Sequence, residues 1–198
     1  MARSRSESDP FALPRAVASV MGGFRRPWFV AGGWALDLYL GRWTRPHDDI
    51  DVAILREDQQ AVRSHLAGWT FEEVVAGERR AWREGEDLDL PVHETYAHRS
   101  GGDPLEIEIL LNEASEGLWR YRRDTRVSKP LAEIGLPGVD GIPVLSPDIV
   151  LLYKAKAPGP TAEQDFRSAR DALRPARRRW LREALEVAHP GHPWIRAL

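Results

Sequence analysis

A short apolar run that ends in two glycines constrains the fold of this chain more than any other feature. Residues 28–31 (WFVA) suit a buried strand, and Gly32 and Gly33 come directly after it. Apolar residues then recur at helical spacing up to Gly41, where a glycine is expected to end the helix. The N–H groups at a helix start attract anions such as phosphate. Many glycine pairs make only a turn, so a phosphate-binding role for this strand, turn and helix needs support from other residues of the chain.

Two aspartates on the next apolar segment are candidate metal ligands that support a phosphate-binding role for the glycine turn. Asp49 and Asp51 are separated by one apolar residue in residues 49–55 (DIDVAIL), which we predict to be a largely buried strand. Side chains alternate along a strand, so both carboxylates project from one face. Buried carboxylates are costly unless they are paired or bind a metal ion. Magnesium, held by one or two carboxylates and by substrate phosphates, fits such a site.

A third carboxylate is expected on a neighbouring strand, because two-metal phosphoryl chemistry needs a ligand near the attacking oxygen. Residues 105–111 (LEIEILL) offer Glu106 and Glu108, which share one face of a predicted strand. Either carboxylate, if it lies near an acceptor hydroxyl, is able to accept its proton. We favour Glu108 because it lies deeper in the apolar segment, and Glu106 stays open as the alternative.

Together these residues resemble a known family. Residues 32–37 (GGWALD), followed by residues 41–51 (GRWTRPHDDID), look like the signature of aminoglycoside nucleotidyltransferases, in the polymerase-β-like nucleotidyltransferase superfamily. The resemblance is strong over residues 28–55, weakens through the middle and returns faintly over residues 151–166. It implies a nucleotidyltransferase fold of the α/β (α+β) class, with a mixed sheet, flanking helices and a small helical C-terminal part.

The resemblance also implies roles for individual residues. Asp49 and Asp51 would hold magnesium, and Glu108 or Glu106 would fill the third acidic position. The residues expected to contact the nucleoside triphosphate are Gly32, Gly33, Trp34, Arg42, Arg45, His47 and Lys154. Lys154 is preferred to Lys156 because the two point in different directions from a predicted helix. The alternative for Arg42, Arg45 and His47 is that they belong to a solvated loop and contact no nucleotide.

The expected reaction is a nucleotidyl transfer. ATP, or another nucleoside triphosphate, gives its nucleoside monophosphate to a hydroxyl of a small-molecule acceptor with the help of Mg²⁺, and pyrophosphate leaves. The first hypothesis for the acceptor is an aminoglycoside-like antibiotic or another polyhydroxy or amino-sugar compound. A second hypothesis makes the acceptor a protein or an RNA, as in toxin–antitoxin and tRNA-modifying relatives. A third makes the chain a nucleotide-binding module without turnover, against which the intact aspartates argue.

Two further expectations concern the surroundings of the site. Trp119, like Trp34, is placed near a ligand, although most tryptophans serve packing. The acidic residues 84–89 (EGEDLD), with the glutamates of residues 106–116, would attract a cationic acceptor, or else merely keep loops soluble.

Composition excludes several classes of site and partner. The 198 residues contain no cysteine, which excludes disulfides, zinc–thiolate sites and cysteine nucleophiles. A net charge of −2 gives no general attraction to nucleic acid, and the arginines of residues 175–182 read as the solvated face of an amphipathic helix. Residues 1–10 do not resemble a signal peptide or membrane anchor, so we expect a cytoplasmic protein without a membrane partner. Acceptor identity, base preference and oligomeric state are not determined by the sequence.

The order of predicted elements divides the chain in two. Besides the segments above, strands are expected over residues 70–75 and 93–98, and helices over residues 12–21, 57–67, 148–157, 163–173 and 175–188. Residues 127–147, rich in proline and glycine, read as a wrapping loop. We therefore expect a catalytic domain over residues 1–145 and a helical region over residues 146–198.

Overall fold

The structure, a computed structural model, describes residues 9–99, 101 and 105–198, so the expectation for residues 1–8 lies outside it. Its helices are α1 Ala12–Val20, α2 Gly32–Leu40, α3 Gln59–His65, α4 Pro147–Lys154, α5 Pro160–Ala169, α6 Pro175–Ala188 and α7 Trp194–Ala197. Its strands are β1 Trp28–Val30, β2 Asp51–Leu55, β3 Thr70–Val75, β4 Glu78–Ala81, β5 Glu94–Arg99, β6 Leu105–Ser115, β7 Leu118–Arg120, β8 Ser128–Pro130, β9 Gly135–Pro137 and β10 Pro143–Leu145.

The strands form one mixed sheet in the order β4-β3-β5-β6-β2-β1-β10-β9, and β7 and β8 extend it from the end of β6. Two neighbouring pairs are parallel, β2 with β6 and β1 with β10, and the other pairs are antiparallel. In the β2–β6 pair, Asp51 lies opposite Glu108 and Val52 opposite Ile109. This register places one predicted acidic strand directly beside the other. The mixed α/β sheet with flanking helices confirms the expected fold class.

The hydrophobic core lies between the sheet and the helices that cover it. Ile54 of β2, Ile107 of β6 and Leu36 of α2 are each at most 1% exposed. Burying side chains of this size contributes about 1.5–3 kcal/mol each. α2 enters the core directly after β1 and packs against α4 and α5. It ends at Gly41, whose φ of 68° is left-handed, a conformation that glycine adopts without a steric penalty.

The prediction of a loop over residues 127–147 is wrong in part. The segment contains β8, β9 and β10, and β10 lies between β1 and the edge strand β9, with Val144 opposite Val30. Strands of three residues are too short to produce a periodic pattern, and the flanking prolines and glycines read as loop signals. β4 and β7, short strands at the edge and the extension of the sheet, were also absent from the predicted elements.

The proposed division at residue 145 falls between β10 and α4. Buried residues continue across that point, from Val144 and Leu145 to Ile149 and Val150. The division into residues 1–145 and 146–198 stays a prediction. Among the helices that the structure describes, none combines the length and apolar character that crossing a membrane requires.

Candidate active site

Three carboxylates meet where the central strands β2 and β6 lie side by side, close to the start of α2. Asp49, Asp51 and Glu108 each offer one oxygen atom, and these oxygens all lie within 4.8 Å of one another. We call this group the acidic cluster. Such hard oxygen donors suit a divalent cation like magnesium. The cluster thus brings together the two aspartates and one of the two glutamates that the sequence suggested.

Asp49 reaches the acidic cluster by a route that strand periodicity did not describe. β2 begins at Asp51, so Asp49 lies in the preceding loop and not on a shared strand face. The indole Nε1 of Trp34 donates a hydrogen bond of 3.0 Å to the backbone carbonyl of Asp49. The loop is therefore held against α2, and this contact directs Asp49 towards Asp51. The convergence of the two carboxylates was expected, but the strand predicted over residues 49–55 begins two residues later, at Asp51.

Gly32 allows the carboxylate of Asp51 to approach the N-terminus of α2. Its φ is 57°, and a Cβ atom at this position would collide with the Asp51 carboxylate. Gly33 is similarly restricted, because a Cβ there would lie 2.5 Å from Nη2 of Arg45 and from Nδ1 of His47. Both glycines are thus required for close packing at the turn, in addition to leaving space for a phosphate.

The acidic cluster is electrostatically unfavourable as it stands. Burial, and then the charge of Asp49, raise the pKa of Asp51, and the nearby Lys154 lowers it only in part. Burial, and then the charge of Asp51, raise the pKa of Glu108 above its usual range. Like charges in a poorly solvated site favour the protonated form. Strongly perturbed carboxylates in a cleft are typical of functional sites, and a divalent cation would offset their repulsion.

Glu106 lies two residues from Glu108 but outside the acidic cluster. Its carboxylate is 3.1 Å from Nη1 of Arg79 and 2.9 Å from Nδ1 of His98, and its side chain is 46% exposed. The hydrogen bond from Arg79 holds the pKa of Glu106 below its usual value. Of the two candidates, only Glu108 is therefore placed with the aspartates. Its catalytic role stays a prediction.

Tyr96 and Glu94, both on β5, border Glu108 and were missed in the sequence. The hydroxyl of Tyr96 lies 3.2 Å from Oε2 of Glu108 and 3.0 Å from Oε1 of Glu94. Tyr96 is also the antiparallel partner of Glu108 in the β5–β6 register. Alternation along the predicted strand over residues 93–98 puts Glu94 and Tyr96 on one face. That alternation, next to an acidic strand, was the available signal.

A second charged group lies on the other side of the glycine turn. The carboxylate of Asp165, on α5, accepts hydrogen bonds of 2.8 Å from Nε and 3.0 Å from Nη2 of Arg45, and lies 2.8 Å from Nζ of Lys154. We call these three residues the Asp165 cluster. Burial would raise the pKa of Asp165, but the hydrogen bonds from Arg45 and Lys154 hold it below its usual value. The cluster joins the loop after α2 to α4 and α5.

The other residues expected at the nucleotide have different surroundings. Nε2 of His47 is 2.8 Å from Oδ2 of the fully buried Asp37, and its ring lies 4.3 Å from that of Trp34. Trp34 is only 7% exposed. Arg42 lies beyond the C-terminal end of α2, about 13 Å along the helix from Gly32. Their roles towards a nucleotide stay predictions, and the structure gives Trp34 and His47 a packing role.

Lys156 is exposed and lies beyond the last residue of α4, whereas Lys154 ends the helix and points to Asp165. Of the two lysines, Lys154 is therefore the one held at the Asp165 cluster, and its preference over Lys156 at the nucleotide stays a prediction.

A cavity of about 280 Å³ opens beside the acidic cluster. Gly32, Glu108 and Lys154 line it, together with Glu94 and two arginines that the sequence did not assign to the site. The two arginines are Arg122 and Arg123. The remaining lining residues are Ala31, His93, Leu110, Leu111, Asn112, Leu145, Val150 and Tyr153. The arginines come after β7, a strand that was not predicted, so the sequence gave no reason to place them here.

Trp119 and the acidic residues 84–89, which were expected near a ligand or an acceptor, do not line this cavity. Trp119 is fully buried and donates a 3.0 Å hydrogen bond to Oδ1 of Asn112, so it lies behind the cavity wall and not in contact with the cavity. The acidic residues 84–89 pack beside α3, where Gln60 donates to Asp87, and none of them lines the cavity. A tryptophan beside arginines and a run of acids on a loop are both common in ordinary structural settings.

Comparison with known proteins agrees with this geometry. The sequence model of the aminoglycoside-2''-adenylyltransferase family matches residues 15–166. The 2''-aminoglycoside nucleotidyltransferases of Escherichia coli and Klebsiella pneumoniae are each 43% identical over 54 residues, which is 26% of this chain. The match spans only 30% of the length of each of these curated relatives.

Solved structures extend the similarity to most of the chain. The solution structure of the antibiotic-resistance factor ANT(2'')-Ia has a TM-score of 0.57 at 20% identity, covering 88% of this chain and 90% of that one. Lincomycin-bound LnuA, a lincosamide antibiotic adenylyltransferase, has a TM-score of 0.54 at 16% identity, covering 80% and 95%. ANT(2")-Ia in complex with adenylyl-2"-tobramycin has a TM-score of 0.51 at 21% identity, covering 87% and 94%. At these identities the likeness shows a shared fold.

Proposed function

Because this chain belongs to the aminoglycoside-2''-adenylyltransferase family, we propose that it is a metal-dependent nucleotidyltransferase. It transfers AMP from ATP to a hydroxyl of an aminoglycoside-like small molecule. The observation that carries the proposal is the acidic cluster, three carboxylates with oxygens within 4.8 Å of one another beside the glycine turn. A nucleotide-binding module without turnover has no need to keep such a repulsive group.

The residues of the acidic cluster fit a magnesium ion. All three offer carboxylate oxygens, and Asp51 and Glu108 are partly buried, so their charges are poorly screened by water. A bound divalent cation would supply the positive charge that keeps the three carboxylates ionised at neutral pH and neutralises phosphate oxygens of the nucleotide. Asp49 and Asp51 would hold the metal, and Glu108 would complete the set of ligands.

Glu108 is also our candidate for the general base. It lines the cavity in which an acceptor hydroxyl would approach the nucleotide. The acceptor oxygen attacks the α-phosphorus of ATP, and a bond forms between them. The bond from the α-phosphorus to the bridging oxygen breaks, and its electron pair leaves with pyrophosphate. The hydroxyl proton passes to Glu108, whose carboxylate is held by the hydroxyl of Tyr96 at 3.2 Å.

The glycine turn and the Asp165 cluster border the path of the triphosphate. Gly32 and Gly33 carry no side chain that would block the helix start, where N–H groups attract phosphate oxygens. Arg45 and Lys154 share one carboxylate, that of Asp165, so the cluster keeps a net positive charge. The ion pairs of the Asp165 cluster also hold α4 and α5 against the loop that carries Asp49. The protein thus contributes position and electrostatics.

The similar proteins support the choice of acceptor. The curated relatives are named 2''-aminoglycoside nucleotidyltransferases, and one solved structure of this fold is a complex with adenylyl-2"-tobramycin. The family to which this chain belongs is named for adenylylation at the 2'' position. These names favour an amino-sugar acceptor over a protein or an RNA.

Pyrophosphate release from ATP tests the proposal. The purified protein, Mg²⁺ and a broad panel of aminoglycosides are combined, and each acceptor is examined by mass spectrometry for one added AMP group. We expect pyrophosphate and adenylylated product in equal amounts with at least one aminoglycoside, and neither product after chelation of Mg²⁺.

A matched pair of variants controls the experiment. Asp51→Asn removes a carboxylate of the acidic cluster, whereas Asp48→Asn changes an exposed neighbour outside it. Activity should be lost only in the first. If no aminoglycoside is modified while a protein or RNA acceptor is labelled, the proposal of a small-molecule acceptor is wrong, whereas the proposal of nucleotidyl transfer remains valid. If a folded protein binds neither ATP nor Mg²⁺, the proposed function is wrong altogether.

A further inference from the structure

Two consecutive arginines outside the recognised motifs line the cavity beside the acidic cluster. Arg122 and Arg123 come after β7, and they share the cavity wall with Gly32, Glu108 and Lys154. Both guanidinium groups lie near the ring of Tyr153, the residue before Lys154 on α4, at 5.7 Å and 5.3 Å from its centre. The pair therefore lies in the cavity wall beside the C-terminal end of α4.

Arg122 is a cation without a close anionic partner. Its side chain is half-buried, and among the residues that the structure describes no carboxylate lies within 4.0 Å of its guanidinium nitrogens. Burial lowers the pKa of Arg122, and the adjacent charge of Arg123 lowers it further, while the more distant Glu94 acts in the opposite direction. An arginine in this position is costly unless an anion compensates it.

Arg123 is fixed by its neighbours but keeps donors free. Its Nη1 donates to the backbone carbonyl of Tyr153 at 3.0 Å and to the hydroxyl of Tyr121 at 3.3 Å. Neither acceptor is an anion, so the charge of Arg123 is not neutralised by these bonds. A guanidinium has five N–H donors, which leaves others for a ligand.

The cations that the motif suggested for phosphate binding are already engaged. Arg45 and Lys154 share the carboxylate of Asp165, and His47 contacts the buried Asp37. Arg42 lies at the far end of α2 from the glycine turn. A nucleoside triphosphate would bring more negative charge to a site that already contains the acidic cluster. The Asp165 cluster alone would offset little of this negative charge, because its two cations share a carboxylate. Arg122 and Arg123 lie in the cavity wall without a carboxylate partner among the described residues.

We propose that Arg122 and Arg123 bind the terminal phosphates of the nucleoside triphosphate and hold pyrophosphate after the bond to the α-phosphorus breaks. Planar guanidinium groups bind phosphate oxygens in a bidentate manner, and the partial burial of Arg122 strengthens such hydrogen bonds, whereas Arg123 is exposed. The repulsion between the two arginines is then offset by the ligand. This inference rests on the proposed function, because it takes ATP as the donor.

Equilibrium binding measurements test this inference directly. Isothermal titration calorimetry with the full chain and Mg²⁺ compares ATP, pyrophosphate and AMP in the wild type, Arg122→Gln, Arg123→Gln and the double variant. Arg120→Gln is the matched control, because Arg120 lies on β7 but pairs with Ser115 and Glu116 and does not line the cavity. Thermal melts establish that each variant is folded.

We expect Arg122→Gln to weaken the binding of ATP and of pyrophosphate by about tenfold, the size typical of a hydrogen-bonded charge pair. Arg123→Gln should have a smaller effect, and the double variant the largest. AMP, which lacks the terminal phosphates, should bind the variants and the wild type equally. Arg122→Lys keeps the charge but loses the planar set of N–H donors. Its affinity for ATP and pyrophosphate should therefore lie between those of the wild type and Arg122→Gln.

Two results would overturn the inference. One is an affinity for ATP and pyrophosphate in the double variant that equals that of Arg120→Gln. The other is unchanged nucleotide binding together with a raised KM for the acceptor, which would assign the arginines to the acceptor. Failure of the proposed function itself looks different, since the folded wild type would then bind neither ATP nor pyrophosphate.

Discussion

The acidic cluster and the Asp165 cluster lie on either side of the glycine turn, and the pKa values of their buried aspartates are shifted in opposite directions. Burial raises the pKa of Asp51, and a second carboxylate, Asp49, raises it further. Burial also acts to raise the pKa of Asp165, but Arg45 and Lys154 reverse the direction. Asp165 is almost fully buried and Asp51 is partly buried, and burial alone would raise the pKa of both, so the difference in direction comes from their partners. Burial of a carboxylate therefore does not by itself indicate a functional site, whereas burial beside other carboxylates, with too little positive charge to offset them, is typical of one.

The two clusters should respond differently when a carboxylate is neutralised. Loss of charge in the acidic cluster should reduce activity and leave the fold intact, because repulsion is relieved. Loss of charge in the Asp165 cluster should reduce stability, because two cations lose their partner. Single substitutions in each cluster, with matched controls, separate these two responses.

Asp51→Asn should give the largest effect, a fall in turnover of about 10³-fold, comparable to the loss of a single group that stabilises charge in a transition state. Its thermal midpoint without metal should equal or exceed that of the wild type, since the repulsion with Asp49 disappears. Steady-state pyrophosphate release and a thermal melt measure the two quantities. Near-normal turnover in the folded variant would contradict the assignment of Asp51 to the metal.

Asp165→Asn should lower the free energy of unfolding by about 3 kcal/mol, the cost of breaking a buried ion pair from one side. Asp171→Asn is the control, because Asp171 is 78% exposed and pairs with Arg170 at the surface. Urea unfolding of both variants gives the comparison. A loss in Asp165→Asn no larger than that in Asp171→Asn would mean that the Asp165 cluster does not hold the helices to the loop.

The same residue predicts a pH dependence. The pKa of Asp165 is lower in the folded protein than its usual value, so its stabilising effect is present above that usual value. The effect is lost as the pH falls below about 4 and through the lowered folded pKa. The wild type and Asp165→Asn should therefore converge in stability as the pH falls through this range. A constant difference between them would contradict the ion-pair explanation.

Glu108→Gln should reduce turnover by about 100-fold, the lower range for loss of a general base. Glu106→Gln should leave turnover within about twofold of the wild type and cost less than about 1 kcal/mol of stability, because its ion pairs are partly exposed. Both variants are measured by pyrophosphate release and by urea unfolding. Comparable losses of turnover would mean that position in the acidic cluster does not separate the two glutamates.

Lys154→Ala should weaken ATP binding by about tenfold, the smallest of these effects, because the charge of Lys154 is shared with Asp165. Lys156→Ala should have almost no effect, since Lys156 is exposed beyond the end of α4. The dissociation constants for ATP are measured by calorimetry on both variants. Equal effects would show that α4 does not present Lys154 to the nucleotide.

Much of the fold was predictable because long segments carry strong local patterns. The helix after the glycine pair ends at Gly41 as expected, and the strands predicted over residues 70–75 and 105–111 are present as β3 and the first part of β6. β10 was not predictable from its own sequence. It is three residues long and is held in the sheet by β1 and β9, and its partner β1 comes from a distant part of the chain.

Part of the candidate site was predictable for the same reason, and part was not. The signature placed Asp49 and Asp51 near the glycines, although Asp49 arrives from a loop held by Trp34. Arg122 gave no local signal, because only the pairing of β6 with β7 brings the residues after β7 to the cavity. Short motifs report on residues that are close in the chain, and this cavity is built from distant segments.

Most element types, the family and the set of acidic candidates were already determined in the amino-acid sequence, because periodicity and motif spacing are properties of neighbouring residues. Tertiary packing was needed to decide which glutamate joins the aspartates and which cations remain uncompensated. Glu106 and Glu108 share one strand and one face, yet Arg79 and His98 reach the first and Asp51 lies beside the second. The charge state of a buried carboxylate depends on partners a few ångströms away in space, and those partners are brought by strand pairing and helix packing.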